Sequence, residues 1–285
     1  MEGNLRNIQE IENSLVYFAH PNRSNTDPEY WFNLFNKYDN IYGIEVFNAG
    51  QALRNYSEHI WDYILTKSMP NRPIYGSASD DAHSNGAAGT GLTILLLDDS
   101  EMNSMGVLNA LKNGNSFLGS ICINPETDDD IMWEDIKGPV PEIKRIDVNI
   151  EDATITVQAT NYHTIEWVSA NGQVVATGET INLNDCYGVE KYIRVRIYGE
   201  NGMIHSQPFG LEFGDEYYEG NIEDEKPDET EKPEDPQEPN EPEKPNSKDK
   251  KGCFGCIADS EISLFIIFSF AFIFARYYSK KSKSN

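Results

Sequence analysis

The sequence predicts an α/β unit followed by a small all-β sandwich, with a disordered linker and a transmembrane helix towards the C-terminus. Three observations carry this reading. In residues 1–135, short apolar runs alternate with stretches of helical spacing, the pattern of parallel βαβ units. In residues 140–213 the runs are short, β-branched and partly alternating, with turn signals between them, as in a sandwich. From residue 214 the composition turns to Glu, Pro and Lys, and then to one unbroken apolar run.

In order along the first unit, "SLVYFAHP" is an apolar run that ends at His20, and "EYWFNLFNKYD" has helical spacing. "IYGIEVFNA" is a second run, closing near Glu45 and Asn48, and "SEHIWDYILTKSM" is amphipathic. "PIYGSASDDAH" is a third run that ends in Asp80, Asp81 and His83, followed by "TGLTILLLDD" and the helix-like "NSMGVLNALKNG". In parallel α/β folds, polar residues just past the strand C-termini line the active face. His20, Glu45, Asp81 and His83 each close one of the three runs, so adjacent strands would bring them to a shared mouth. Imidazole and carboxylate together suit zinc, iron or manganese. Taken singly, each has a plainer reading: "HP" as a turn, "DDAH" as the cap of a following helix. Only their common phase favours a site.

The second unit is read from "IKRIDVNI", "ATITVQAT", "TIEWVSA", "QVVATGE" and "KYIRVRIYG", separated by turns such as "ANGQ" and "GENG". His163 and His205 fall here and are expected at the surface or in turns, as is His59 on the "SEHIWDYIL" helix. Residues 214–251 carry too few apolar side chains to offset chain entropy and are expected to be a disordered spacer. The apolar run "ISLFIIFSFAFIFA" is short for a span, and residues 257–278 reach the length only by including polar flanks. The basic tail 279–285 predicts a cytoplasmic C-terminus, with the bulk of the chain outside a bacterial cell membrane. A plain single-pass anchor and a processed sorting tail both fit this order of segments.

The net charge of −24 excludes a general nucleic-acid binder, because no basic surface is available to displace counterions from phosphates. Between Asp215 and Lys251, fifteen acidic residues face six basic ones, so the linker alone holds nine of those charges. The four cysteines form no disulfide framework: Cys122 and Cys186 read as separate thiols, and "CFGC" at Cys253 and Cys256 lacks the second half of a zinc site.

Five blocks, "YFAHPN", "GIEVFNAGQ", "HIWDYIL", "PIYGSASDDAH" and "VLNALKNGNSFLGS", resemble in order and spacing the C-terminal half of the polymerase and histidinol phosphatase (PHP) superfamily of metal-dependent phosphoesterases. The likeness covers roughly residues 10–120. It implies a partial PHP-type (β/α)7 barrel and hydrolysis of a small phosphorylated substrate by a hydroxide activated on a divalent metal (Zn, Mn or Fe). Carried over position by position, it implies that His20, Asp81 and His83 are metal ligands. Glu45, Asn48 and Asp80 would orient those ligands or the substrate. The family's opening HxH motif and several further ligands have no counterpart here, since nineteen residues without a histidine precede His20. Three ligands would hold one metal with an open position rather than a cluster. The expected function is therefore a surface-anchored phosphoesterase, present as its C-terminal portion. The alternative is a non-catalytic binding module derived from the same fold.

Overall fold

The computed structural model describes residues 2–48, 56–83, 88–121 and 139–212. The linker, the expected membrane segment and its basic tail lie outside these residues, as do Cys122, Cys253 and Cys256.

Helix α1 (Glu2–Gln9) buries Leu5 and is tied to the following layer by an ion pair between Glu2 and Lys37. Strands β1 (Val16–Phe18), β2 (Ile41–Asn48) and β3 (Tyr75–Ser79) pair in parallel in the order β1-β2-β3. The short helical turn α2 (Pro21–Ser24) and helix α3 (Pro28–Lys37) connect the first two. In α3, Asp27 caps the helix by accepting from the Glu29 N–H at 3.0 Å, and Pro28 occupies a position where no N–H is needed. Its Trp31, Leu34 and Phe35, at the i, i+3, i+4 spacing of one face, pack on the sheet, with the Phe18 ring 4.9 Å from Trp31 and 5.4 Å from Phe35. Helix α4 (Glu58–Ser68) connects β2 to β3 and buries Ile60, Trp61, Ile64 and Leu65, but also Glu58 and Asp62.

After β3 the parallel series stops. Strand β4 (Gly91–Leu95), helix α5 (Ser104–Asn113) and strand β5 (Ser116–Ser120) form an antiparallel pair with a helix between. Asn103 caps α5 by accepting from the N–H groups of Met105 and Gly106. Gly114 ends it at φ 69°, a left-handed conformation that suits glycine. The remaining strands are β6 (Glu142–Asn149), β7 (Thr154–Thr160), β8 (Thr164–Val168), β9 (Val174–Thr177), β10 (Thr180–Asn182), β11 (Tyr192–Gly199), β12 (Gly202–Ser206) and β13 (Phe209–Gly210). One seven-stranded sheet runs β4-β5-β12-β11-β8-β9, with β13 added on β11, and a three-stranded antiparallel sheet runs β10-β7-β6.

This architecture overturns the predicted fold class. The described chain is mostly β, in three sheets, and no sheet closes into a barrel or part of one beyond three parallel strands. Among the described residues no helix is long and apolar enough to cross a membrane. The physical reason lies in pairing. In sequence the run at 91–95 follows the parallel series, but in the structure it pairs antiparallel with β5, and β5 joins β12 from beyond residue 139. The strands after residue 140 therefore do not make a separate sandwich, because β8, β9, β11 and β12 share a sheet with β4 and β5.

Side chains close the edge that β3 presents to this larger sheet. Gln207 accepts from the Gly76 N–H and donates to the Gly76 carbonyl, both at 2.8 Å. The Thr93 hydroxyl does the same for Ala78, at 2.9 and 2.8 Å. Each side chain stands in for the backbone of a missing strand neighbour.

Candidate functional site

The C-terminal ends of β1, β2 and β3 meet around the carboxylate of Glu45, which is only 2 % exposed. One of its oxygens, Oε2, accepts from the backbone N–H of His20 and from Asn48 Nδ2 at 3.0 Å. The other, Oε1, accepts from the Ser79 hydroxyl. Residues that close three different strands are thus gathered by one side chain. Burial pushes the Glu45 carboxyl above the usual range, against the downward pull of the Ser79, Asn48 and His20 donors.

His20 has φ 32° and ψ 57°, a left-handed conformation that turns the chain sharply into Pro21. Two polar atoms here are buried without a hydrogen-bond partner: His20 Nδ1 and Asn48 Oδ1, the latter on a residue 6 % exposed. Gly91 lies against the end of β3, where a Cβ would come within 2.2 Å of the Ser79 carbonyl oxygen, so only glycine lets β4 approach this closely.

The other predicted residues are arranged differently. Asp80 turns back on its own loop and accepts from the Gly89 N–H. Asp81 is left-handed, at φ 46°. Its carbonyl oxygen lies 2.6 Å from His83 Nδ1 and its Oδ1 4.0 Å from the same atom, and the His83 side chain is 83 % exposed. The structure therefore brings His20, Glu45 and Asn48 together. It sets Asp80 and Asp81 immediately after Ser79 and turns His83 to solvent. Among the described residues no three His, Cys, Asp or Glu side chains converge as a metal site. The described residues by themselves do not gather His20, Asp81 and His83 around one point.

A second polar cluster, missed from the sequence, lies under α4. Arg194 is fully buried; its Nε and Nη2 donate to the two Asp62 oxygens at 2.9 and 2.8 Å, its Nη2 also meets Glu58, and its Nη1 is 2.8 Å from His205 Nδ1. Arg196 reaches both Glu58 oxygens at 3.0 Å and Glu166 Oε2 at 2.8 Å through Nε. Tyr192 donates to Asp62 at 2.9 Å, Tyr56 donates to Glu58, and the Arg194 guanidinium stacks 5.0 Å from the Trp61 ring centre. Burial raises Glu58, but the Arg194 and Arg196 charges outweigh it and hold the carboxyl below its usual range. For Asp62 the burial effect prevails over Arg194, and the direction is upward.

His205, expected at the surface, is 0 % exposed, whereas His163 and His59 are exposed. The sequence did carry a signal. "RVR" in a strand puts two arginines on one face, and Asp62 interrupts the apolar face of its helix. The second cluster touches Phe47, whose ring lies 5.0 Å from His205 and 4.8 Å from Tyr56, and Phe47 precedes Asn48 of the first cluster on β2. Comparison with protein-family models, with curated proteins and with solved structures gives no match.

Proposed function

We propose that this chain is a PHP-type, metal-dependent phosphoesterase held at a membrane by residues 257–278. The observation that carries the reading is the Glu45 carboxylate, which ties His20, Asn48 and Ser79 together at the ends of three parallel strands. Active faces of parallel α/β folds lie at that end of the sheet, and the five sequence blocks resemble the family at the same places. In this reading His20, Asp81 and His83 are ligands for zinc, manganese or iron, and the ion needs further donors besides these three. Glu45 and Asn48 hold His20 in position, and Asp80 fixes the loop that bears Asp81. The substrate is a small phosphate ester.

The test is metal content and hydrolysis of a generic phosphomonoester by the full chain, with manganese or zinc supplied. Turnover that falls at least tenfold in Asp81→Ala and His83→Ala supports the reading. Turnover equal in wild type and both variants, or absent with every metal, overturns it.

The second reading is a non-catalytic binding module, favoured by the outward turn of the His83 side chain and the lack of three converging donors among the described residues. It expects ligand or metal uptake without hydrolysis.

A further inference from the structure

His205 lies on β12, in register with Arg196 of β11 on one side and Leu118 of β5 on the other. Its Nδ1 is 2.8 Å from Arg194 Nη1. A guanidinium has only hydrogens to offer, so Nδ1 must accept, and the neutral ring carries its hydrogen on Nε2. That Nε2 is buried and has no hydrogen-bond partner.

The groups facing the ring come from every neighbouring element. Helix α4 contributes Glu58, with Oε1 3.6 Å from Nδ1, and Asp62, which is engaged by Arg194 and Tyr192. Strand β11 contributes Arg194 and Arg196, and Phe47 of β2 and Leu118 of β5 are uncharged. Tyr56, just ahead of α4, is bonded to Glu58. A second ring proton could only go on Nδ1. There it would face an Arg194 N–H, break that hydrogen bond and add a third cation beside two arginines. Glu58 already receives Tyr56, Arg194 and Arg196. Burial accordingly pushes the His205 ring well below its ordinary range, with Glu58 pulling the other way and the two arginines adding to the effect.

We propose that His205 is an acid-sensitive latch: uptake of one proton by its ring undocks α4 from the seven-stranded sheet and loosens the strand-end mouth that adjoins it. The inference stands on the cluster alone and does not depend on the phosphoesterase reading. The direction follows from linkage. An exposed histidine takes its proton near 6.5, whereas the docked ring resists it to much lower pH. The docked state keeps its full advantage above pH 6.5 and loses about tenfold in its opening equilibrium for each pH unit below that. His59, on the outer side of α4, is also pulled down by burial and acts in the same direction, so it is tested in parallel.

The experiment is hydrogen exchange read by mass spectrometry on the full chain at pH 7.5, 6.0 and 5.0, corrected for intrinsic exchange. Protection of the α4 and β12 peptides should fall towards tenfold per unit below pH 6.5. His205→Asn, whose Oδ1 can still accept from Arg194, should flatten that slope, and His59→Asn should keep it. Flat wild-type protection across the range, or an unchanged slope in His205→Asn, overturns the proposal. Should His205→Asn fail to fold, nitrogen-15 spectra of the wild-type ring decide. The Nε2–H tautomer persisting below pH 6.5 for as long as α4 stays protected supports the latch. A ring that titrates near 6.5 while α4 stays protected rules it out.

Discussion

Glu45 accepts hydrogen bonds from residues that end three strands, yet burial still pushes its carboxyl above the ordinary range. An acid whose folded-state pKa is raised favours the fold below its unfolded value of 4.5 and loses that contribution as pH rises through the folded value. Ionisation is thus costlier in the folded chain, while the two oxygens organise the site. These roles separate by substitution. Glu45→Gln keeps an acceptor for His20 and Asn48 while removing the charge; it should leave stability at pH 7 within about 1 kcal/mol of wild type and abolish the decline above pH 4.5. Glu45→Ala strands buried donors on all three partners and should lose about 2–4 kcal/mol. Urea unfolding at pH 5 and pH 7.5 measures both. The place of Glu45 was legible, since it lies in phase with His20 and Asp81 along the sequence. What gathers around it was less so: Ser79 gave no signal, because a serine in "GSAS" is as much at home in a strand or turn as at a site.

At the scale of elements, the sequence shows local runs well and partners poorly. Apolar periodicity and β-branched content mark β1, β2, β3, β6, β7, β8 and β11 as strands. Neither property states whether a run pairs parallel or antiparallel, or with which neighbour, because pairing depends on packing far away in sequence. That is why β4 fits a parallel series along the sequence and yet pairs antiparallel with β5. The edge of β3 shows what replaces the expected neighbour. Gln207 and Thr93 supply the donor and acceptor that a next strand would have offered to Gly76 and Ala78. Gln207→Leu keeps the volume but leaves a buried N–H and C=O unpaired. It should lose about 2–4 kcal/mol, and Thr93→Val about 1–2 kcal/mol. The two contacts belong to one edge, so the double variant should depart from additivity when measured by urea unfolding. By contrast, Asn103→Ala, which removes the α5 cap far from this edge, should lose about 1 kcal/mol and add independently.

For the whole molecule, the buried ions decide how the parallel sheet's helix and the large sheet hold together. Arg194 and Arg196 sit on β11, Glu58 and Asp62 on α4, and no apolar contact can substitute for a partner once one charge is removed. Arg194→Met leaves two buried carboxylates facing an apolar side chain and should lose about 3–5 kcal/mol. Combining it with Glu58→Gln and Asp62→Asn removes the stranded charges and should recover part of that loss, which distinguishes a desolvation penalty from lost packing. The same cluster fixes the acid limb of the stability profile. Glu58 is held below its unfolded value of 4.5, so its contribution is present above that pH and fades as pH falls through it. His205, held below 6.5, begins to withdraw stability at higher pH, so two steps should appear in wild type as acid is added. In His205→Asn the upper step should vanish and the lower one remain. In Glu58→Gln the lower step should shrink, because the amide takes up no proton in that range. Unfolding free energies from urea titrations between pH 8 and pH 3.5 resolve the two, and a single step below pH 4.5 in wild type would show that His205 does not titrate on its own.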